Sequence, residues 1–109
     1  MPNRAMTRDM ERPFISVVIP TRKAAAELSA TLAVLEQGRR HGLIAEIVVA
    51  DAGSRDATAA IARQMGARVL EAAPGRGPQL AAGAAAAREG TWLLFLHADS
   101  RPAAGWSEA

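Results

Sequence analysis

From residue 14 onward the chain alternates two hydrophobic patterns. Phe14-Ile-Ser-Val-Val-Ile19 is a short β-branched run closed by Pro20 and reads as a buried strand. Over residues 24–37, Leu28, Thr31, Leu32 and Leu35 recur at helical spacing, with Glu and Gln on the other side and Gly38 as the predicted stop. Glu46-Ile-Val-Val-Ala50 is a second strand that ends at Asp51. Ser54 and Asp56 are helix-capping types, and a helix from Ala57 to Met65 is predicted to end at Gly66. Arg68-Val-Leu-Glu71 is a third strand, Gly75-Arg-Gly-Pro78 a turn, Gln79 to Glu89 a helix stopped by Gly90, and Thr91 to Leu96 a fourth strand. The order β-α-β-α-β-α-β implies a parallel sheet with right-handed crossovers, an α/β fold. The alanine-rich tract at 81–87 reads as a small-residue helix face, with Gly83 allowing close approach to the sheet. Residues 1–13 read as a polar tail and 14–109 as one domain.

Composition narrows the class. The chain has 109 residues and is 50% hydrophobic, which suits at most one soluble domain. A chain of this size buries roughly 60–70% of the surface its unfolded form exposes, so its core is thin. The formal charge is only +2, and the basic residues are scattered without aromatic interleaving, which argues against a nucleic-acid partner. With no cysteine there is no disulfide and no thiolate chemistry, in keeping with a reducing compartment. No apolar run approaches the roughly 20 residues needed to span a bilayer, and residues 1–12 lack the apolar core of a signal peptide. The expected location is the cytoplasm, with peripheral membrane association left open.

The polar residues fall at one edge. In an open parallel sheet, ligands bind outside the carboxyl ends of the strands, where strand order reverses. Thr21 and Arg22 follow strand one, Asp51 strand two, Gly75 to Gly77 strand three, and His97 to Asp99 strand four. Each has a bland reading as well: Thr21 as a turn former, Asp51 as an Asx-turn residue, His97 as a strand-end histidine, Asp99 as a loop residue. Arg76 lies in what reads as a plain turn, yet its planar fork suits a phosphate. Together they describe a crevice for a nucleoside diphosphate and a metal. No G-x-x-x-x-G-K-[ST] occurs, and Pro20-Thr-Arg-Lys-Ala24 is not G-x-G-x-x-G. A carboxylate-held divalent cation is the obvious substitute for those phosphate-binding loops.

The stretches SVVIPTRKAAAELSATL, EIVVADAGSRDATAAIA, GARVLEAAPGRGPQLAAGAAAA and GTWLLFLHADSRPAAGW resemble, in order, the nucleotide-sugar half of glycosyltransferase family 2. The resemblance spans about residues 14 to 106, and Arg-Gly-x-Gln with Leu-His-Ala-Asp is most similar to a bacterial "transferase 2" subgroup described with radical-SAM or selenium-domain systems. It implies a Rossmann-like three-layer GT-A donor-binding half with a mostly parallel sheet. It further implies an inverting transferase that moves a sugar from a nucleotide-diphosphate donor, UDP-type above others, with Mn²⁺ or Mg²⁺. By the resemblance, Pro20 and Thr21 lie beside the base, Asp51 hydrogen-bonds it, and Arg76 and Gln79 line base and diphosphate. His97-Ala98-Asp99 falls on the D-x-D motif, which makes Asp99 the metal ligand and His97 a second ligand or a contact to sugar or ribose.

The sequence departs from the family pattern in three places. Asp51-Ala-Gly-Ser-Arg-Asp-Ala-Thr58 replaces Asp-Asp-Gly-Ser-x-Asp-Gly-Thr, and His97 replaces the first Asp of D-x-D; neutral imidazole suits Mn²⁺ better than Mg²⁺. The family's second half, with the acceptor site and the general base, is expected beyond this stretch, so the domain reads as shortened at its C-terminal end. The acceptor stays unassigned. The alternative is a non-catalytic module that binds a nucleotide or nucleotide sugar. A sugar-phosphate nucleotidyltransferase would need a glycine-rich loop after strand one, and Pro20-Thr-Arg-Lys23 lacks the glycines. An uncovered sheet edge near Asp99 and Trp106 makes self-association a further expectation.

Overall fold

A computed structural model describes residues 15–54, 56–88, 90 and 92–98. Four parallel strands alternate with three helices: β1 (Ile15–Thr21), α1 (Ala25–Arg40), β2 (Ile44–Asp51), α2 (Thr58–Gln64), β3 (Arg68–Glu71), α3 (Arg76–Ala86) and β4 (Trp92–Phe95). The sheet order is β3-β2-β1-β4. The chain therefore steps outward from β1 through β2 to β3, then returns to the other side of β1. The strand order reverses between β1 and β4, and the carboxyl ends of those two strands flank the crevice where ligands bind in such sheets. The fold is the expected Rossmann-like α/β arrangement with a parallel sheet.

Alternation along the strands sorts the core into two layers. Val17 and Ile19 of β1 and Ile47 and Val49 of β2 face one way, onto Leu28, Leu32 and Leu35 of α1 and Ala62 of α2. All of these are buried, so the i, i+4, i+7 stripe of α1 is its sheet-facing side. On the opposite face α3 lies against β1 and β2. There a side chain at Gly83 would collide with Val18 Cγ1, so the small-residue face expected for this helix is a steric requirement. Both α1 and α2 end with a glycine at positive φ, Gly42 and Gly66. The flanking amides bond back across the last turn: Leu43 N–H to Gly38 O at 2.8 Å and Ala67 N–H to Ala62 O at 3.0 Å.

The element boundaries depart from the pattern in physically informative ways. Pro20 does not close β1; the strand continues through it, paired Pro20↔Ala50 and Thr21↔Asp51. The Val18 carbonyl accepts from Leu96 N–H at 3.1 Å, so Val18 turns its peptide groups toward β4. Pro20, two residues on, turns its missing N–H to the same side, past the last paired residue of β4. Gly38 does not stop α1, which runs on to Arg40; a buried glycine there gives the helix a flat contact, and Gly42 ends it. Gly75-Arg-Gly-Pro78 is not a free turn. Gly75, at φ +119, precedes α3, and Arg76, Gly77 and Pro78 are its first turn, where proline lacks only an N–H that has no helical partner. At its other end α3 stops at Ala86, three residues short of the predicted Glu89, and Ala87 is extended. The predicted Thr91 start of the fourth strand lies outside the described residues.

At the amino ends of the strands sits a buried carboxylate. Glu46 of β2 accepts from Ser16 Oγ at 2.8 Å, from Arg88 N–H at 2.7 Å and from Arg68 Nη1 at 3.0 Å. Gly90 N–H in turn donates to Ser16 Oγ at 2.8 Å. These bonds tie the starts of β1, β2 and β3 to the connection between α3 and β4, at the end of the sheet away from the crevice.

Candidate functional site

The carboxyl end of β1 is held by side chains from three other segments. Thr21 is buried, and its Oγ1 donates to Asp51 Oδ1 at 2.7 Å. Ser54 donates to the same carboxylate twice, Oγ to Oδ1 at 2.6 Å and N–H to Oδ2 at 2.9 Å. Asp51 thus closes an Asx-type turn and spends most of its acceptor capacity inside the protein. Contrary to the expectation from its residue type, Ser54 caps no helix. Its Oγ accepts from Lys23 N–H at 2.8 Å, the amide of a residue at φ +53. One residue on, Ala24 N–H donates to Thr58 Oγ1 at 3.1 Å, and Thr58 donates in turn to Asp56 Oδ1 through both its hydroxyl and its N–H. These bonds from Thr58 hold the exposed Asp56 carboxyl below its ordinary range. The loops after β1 and β2 are therefore laced together by two parallel hydrogen-bond chains.

Gln79, one turn into α3, reaches the same place from the other face. Its Nε2 donates to Thr21 O and to Ala50 O, both at 3.0 Å, and the side chain is only 7% exposed. Beyond it, Arg76 Nη2 meets His97 Nε2. A guanidinium can only donate, so the imidazole accepts at Nε2. Thr31 of α1 donates to Ala98 O and fixes the segment after β4.

These placements leave a recess of about 230 Å³ bordered by Pro20, Thr21, Arg22, Arg76, Gln79 and His97. A second hollow of about 300 Å³ shares Pro20, Arg22 and His97 and adds Lys23 and Glu27. Five of the six residues expected at the nucleotide, Pro20, Thr21, Arg76, Gln79 and His97, thus border one space; Asp51 lies behind Thr21 and is turned inward. Lys23, Glu27 and Ser54 were not singled out as site residues by sequence. A signal for Ser54 was present, since a Ser three residues after a strand-end Asp is the Asx-turn spacing. A larger hollow of about 410 Å³, beside Glu36, Arg40 and Met65, lies at the far end of α1 and gathers none of these groups.

The described residues do not by themselves fit a divalent cation. No group of three His, Asp or Glu side chains converges among them, and the Nε2 lone pair of His97 faces Arg76. Asp99, the ligand expected from the sequence, lies outside the described residues.

A model of "Glycosyl transferase family 2" matches residues 16–109. The chain belongs to glycosyltransferase family 2. Among solved structures, this family 2 chain is similar to mannosyl-3-phosphoglycerate synthase from Rubrobacter xylanophilus. The two are 27% identical with a TM-score of 0.75, over 90% of this chain and 34% of that one. It is also similar to glucosyl-3-phosphoglycerate synthase from Mycobacterium tuberculosis in complex with Mn²⁺, UDP and glucosyl-3-phosphoglycerate. That match has 28% identity and a TM-score of 0.72, over 83% of this chain and 36% of that one. The same enzyme in complex with Mg²⁺ and UDP matches at 26% identity and TM-score 0.73, over 94% and 40%. The chain therefore spans about a third to two fifths of the length of these relatives. Comparison with curated proteins gives no match. The GT-A assignment drawn from the sequence stands on these findings, and no helix among the described residues is long and apolar enough to cross a membrane.

Proposed function

We propose that this family 2 chain binds the nucleoside-diphosphate part of a nucleotide sugar, of UDP type above others, at the mouth between β1 and β4. One observation carries the reading: Arg22, Arg76 and His97 converge with Thr21 and Gln79 around a single recess at the point where strand order reverses. The basic side supplies donors for diphosphate oxygens, and Arg76 also stands in the first turn of α3, where free backbone N–H groups favour an anion. Thr21 and Gln79 are buried polar groups that border the same recess, suited to the nucleoside. Relatives solved with UDP support the choice of nucleotide.

Binding is the reading for this stretch of chain; sugar transfer is the reading for the family's longer members. Transfer with inversion needs a carboxylate to deprotonate the acceptor hydroxyl. Asp51 and Glu46 are spent on internal hydrogen bonds, and Glu27 is the described carboxylate that borders the adjoining hollow. The resemblance assigns the cation to Asp99, and relatives solved with Mn²⁺ or Mg²⁺ give that assignment its support.

Calorimetric titration of UDP into the chain, with GDP as comparison and with and without Mn²⁺, tests the proposal. Saturable one-to-one binding that Arg76→Ala weakens at least about tenfold is expected, the loss of a charge-assisted hydrogen bond. No heat from either nucleotide under either condition would overturn it. A gain with Mn²⁺ that Asp99→Ala removes assigns the cation to Asp99; a gain that survives the substitution places the cation elsewhere.

A further inference from the structure

We infer that Gln79 is the base-reading group of the recess: a carboxamide locked in one polarity, whose Oε1 admits only a base edge that presents an N–H donor. This rests on the nucleotide-binding reading above and goes beyond it to the group that selects the base.

The lock follows from where the two amide hydrogens go. A glutamine side chain offers two N–H donors and one carbonyl acceptor, and in most settings it can exchange the two ends by a half turn. At Gln79 both donors are committed, one to Thr21 O and one to Ala50 O, each at 3.0 Å. A half turn would aim Oε1 at two carbonyl oxygens. Two buried hydrogen bonds would become two acceptor-to-acceptor contacts, so the turned form is excluded. The carbonyls themselves do not move: Thr21 O also holds Ala52 N–H at 3.0 Å, and Thr21 and Ala50 lie in the paired ends of β1 and β2.

The acceptor end is the remainder. Oε1 takes no donor from the described protein, while Gln79 is only 7% exposed and borders the recess. A buried carbonyl without a donor is uncommon and costly, and a ligand that supplies an N–H relieves it. The neighbouring Asp51 does not share the task from inside the recess. Its oxygens accept from Thr21 Oγ1 and from Ser54 N–H and Oγ, and it is not among the residues bordering the space. The same recess is bordered by the guanidinium-bearing Arg22 and Arg76 and by His97. A ligand that satisfies both sets of groups carries an anionic group and a base edge with an N–H donor. Uracil and thymine present N3–H and guanine presents N1–H; the matching ring nitrogens of cytosine and adenine are acceptors, and those bases offer only an exocyclic amino N–H.

The test removes the donor from the ligand before it touches the protein. UDP and its N3-methyl analogue are titrated into the native chain and into Gln79→Met, with circular dichroism to confirm that the variant is folded. In the native chain N-methylation is expected to weaken binding about tenfold or more, the loss of one buried hydrogen bond plus the crowding of a methyl group. In Gln79→Met the two ligands are expected to bind alike. Should Gln79→Met fail to fold, Gln79→Lys keeps donors for Thr21 O and Ala50 O, offers no acceptor, and is expected to abolish the preference for UDP over its analogue. UDP and N3-methyl-UDP binding equally to the native chain, or an equal methylation penalty in native and variant chains, overturns the inference and leaves the nucleotide-binding proposal standing. No binding of UDP or GDP at all removes that proposal and this inference together.

Discussion

The two edges of the sheet differ in almost every physical respect. β3 closes one side with Arg-Val-Leu-Glu: charged residues at both ends, Val69 and Leu70 half-buried between them, and α2 packed alongside. Arg68 is fastened twice, to Glu46 at 3.0 Å and to Ala86 O at 3.1 Å. β4 closes the other side with Trp-Leu-Leu-Phe, uncharged and exposed at every position, Trp92 at 66%. The register places Trp92 and Leu94 on the α1 face and Leu93 and Phe95 on the α3 face, and all four are exposed, so no helix of the described residues covers either surface of this strand. Charge at an edge discourages pairing with another chain; a bare apolar edge invites it. β4 has the composition of a strand covered on both sides and the exposure of an edge strand, whereas β3 has the composition of the edge it is.

That contrast can be broken from either side. The largest expected effect is on β4. The native chain is expected to self-associate at micromolar concentration, and Leu94→Lys to render it monomeric. Light scattering checks this, and a native chain that stays monomeric at high concentration would remove β4 as a sticky edge. On the β3 side, Glu46→Ala strips Ser16, Arg68 and the Arg88 amide of their common acceptor. A loss of about 3 kcal/mol in unfolding free energy is expected by urea titration. Arg68→Ala removes a half-exposed partner of the same carboxylate and should cost less, about 1 kcal/mol, because solvent screens the pair. The smallest effect concerns Asp56, which is fully exposed. Its carboxyl is held below its ordinary value of 3.8, chiefly by the Thr58 hydroxyl and N–H, so its contribution is complete above 3.8 and is lost as pH falls through the lowered folded value. Asp56→Asn should leave a shallower fall in stability on the acid side of pH 3.8 and match the native pH dependence above it.

The fold was legible because its signals are redundant. Val17 and Ile19, Ile47 and Val49, and the Leu28, Leu32, Leu35 stripe each carry their own period, and the alternation of strand and helix then leaves few topologies. The boundaries were less legible, since they depend on partners elsewhere in the chain. Pro20 is tolerated inside β1 only because β4 stops pairing there, and Arg76 begins a helix only because α3 packs on β1 and β2. The cluster at the strand ends was legible as a cluster, through strand-end position alone. Its internal wiring was legible only at Ser54, through the Asx-turn spacing to Asp51: nothing local says that Asp51 also accepts from Thr21, or that Gln79 spends both amide hydrogens on the backbone of two strands. Such bonds join residues 29 and 58 positions apart, and no local sequence pattern encodes that distance.

The lacing of the two loops has a consequence for how a ligand is received. Lys23 holds a left-handed backbone conformation, and its amide is tied through Ser54 to Asp51. The mouth of the recess is therefore assembled during folding. Its ordering entropy is spent then and is not charged again to association. A visitor meets a stiff rim, and discrimination between visitors should show itself mainly in how long each one stays.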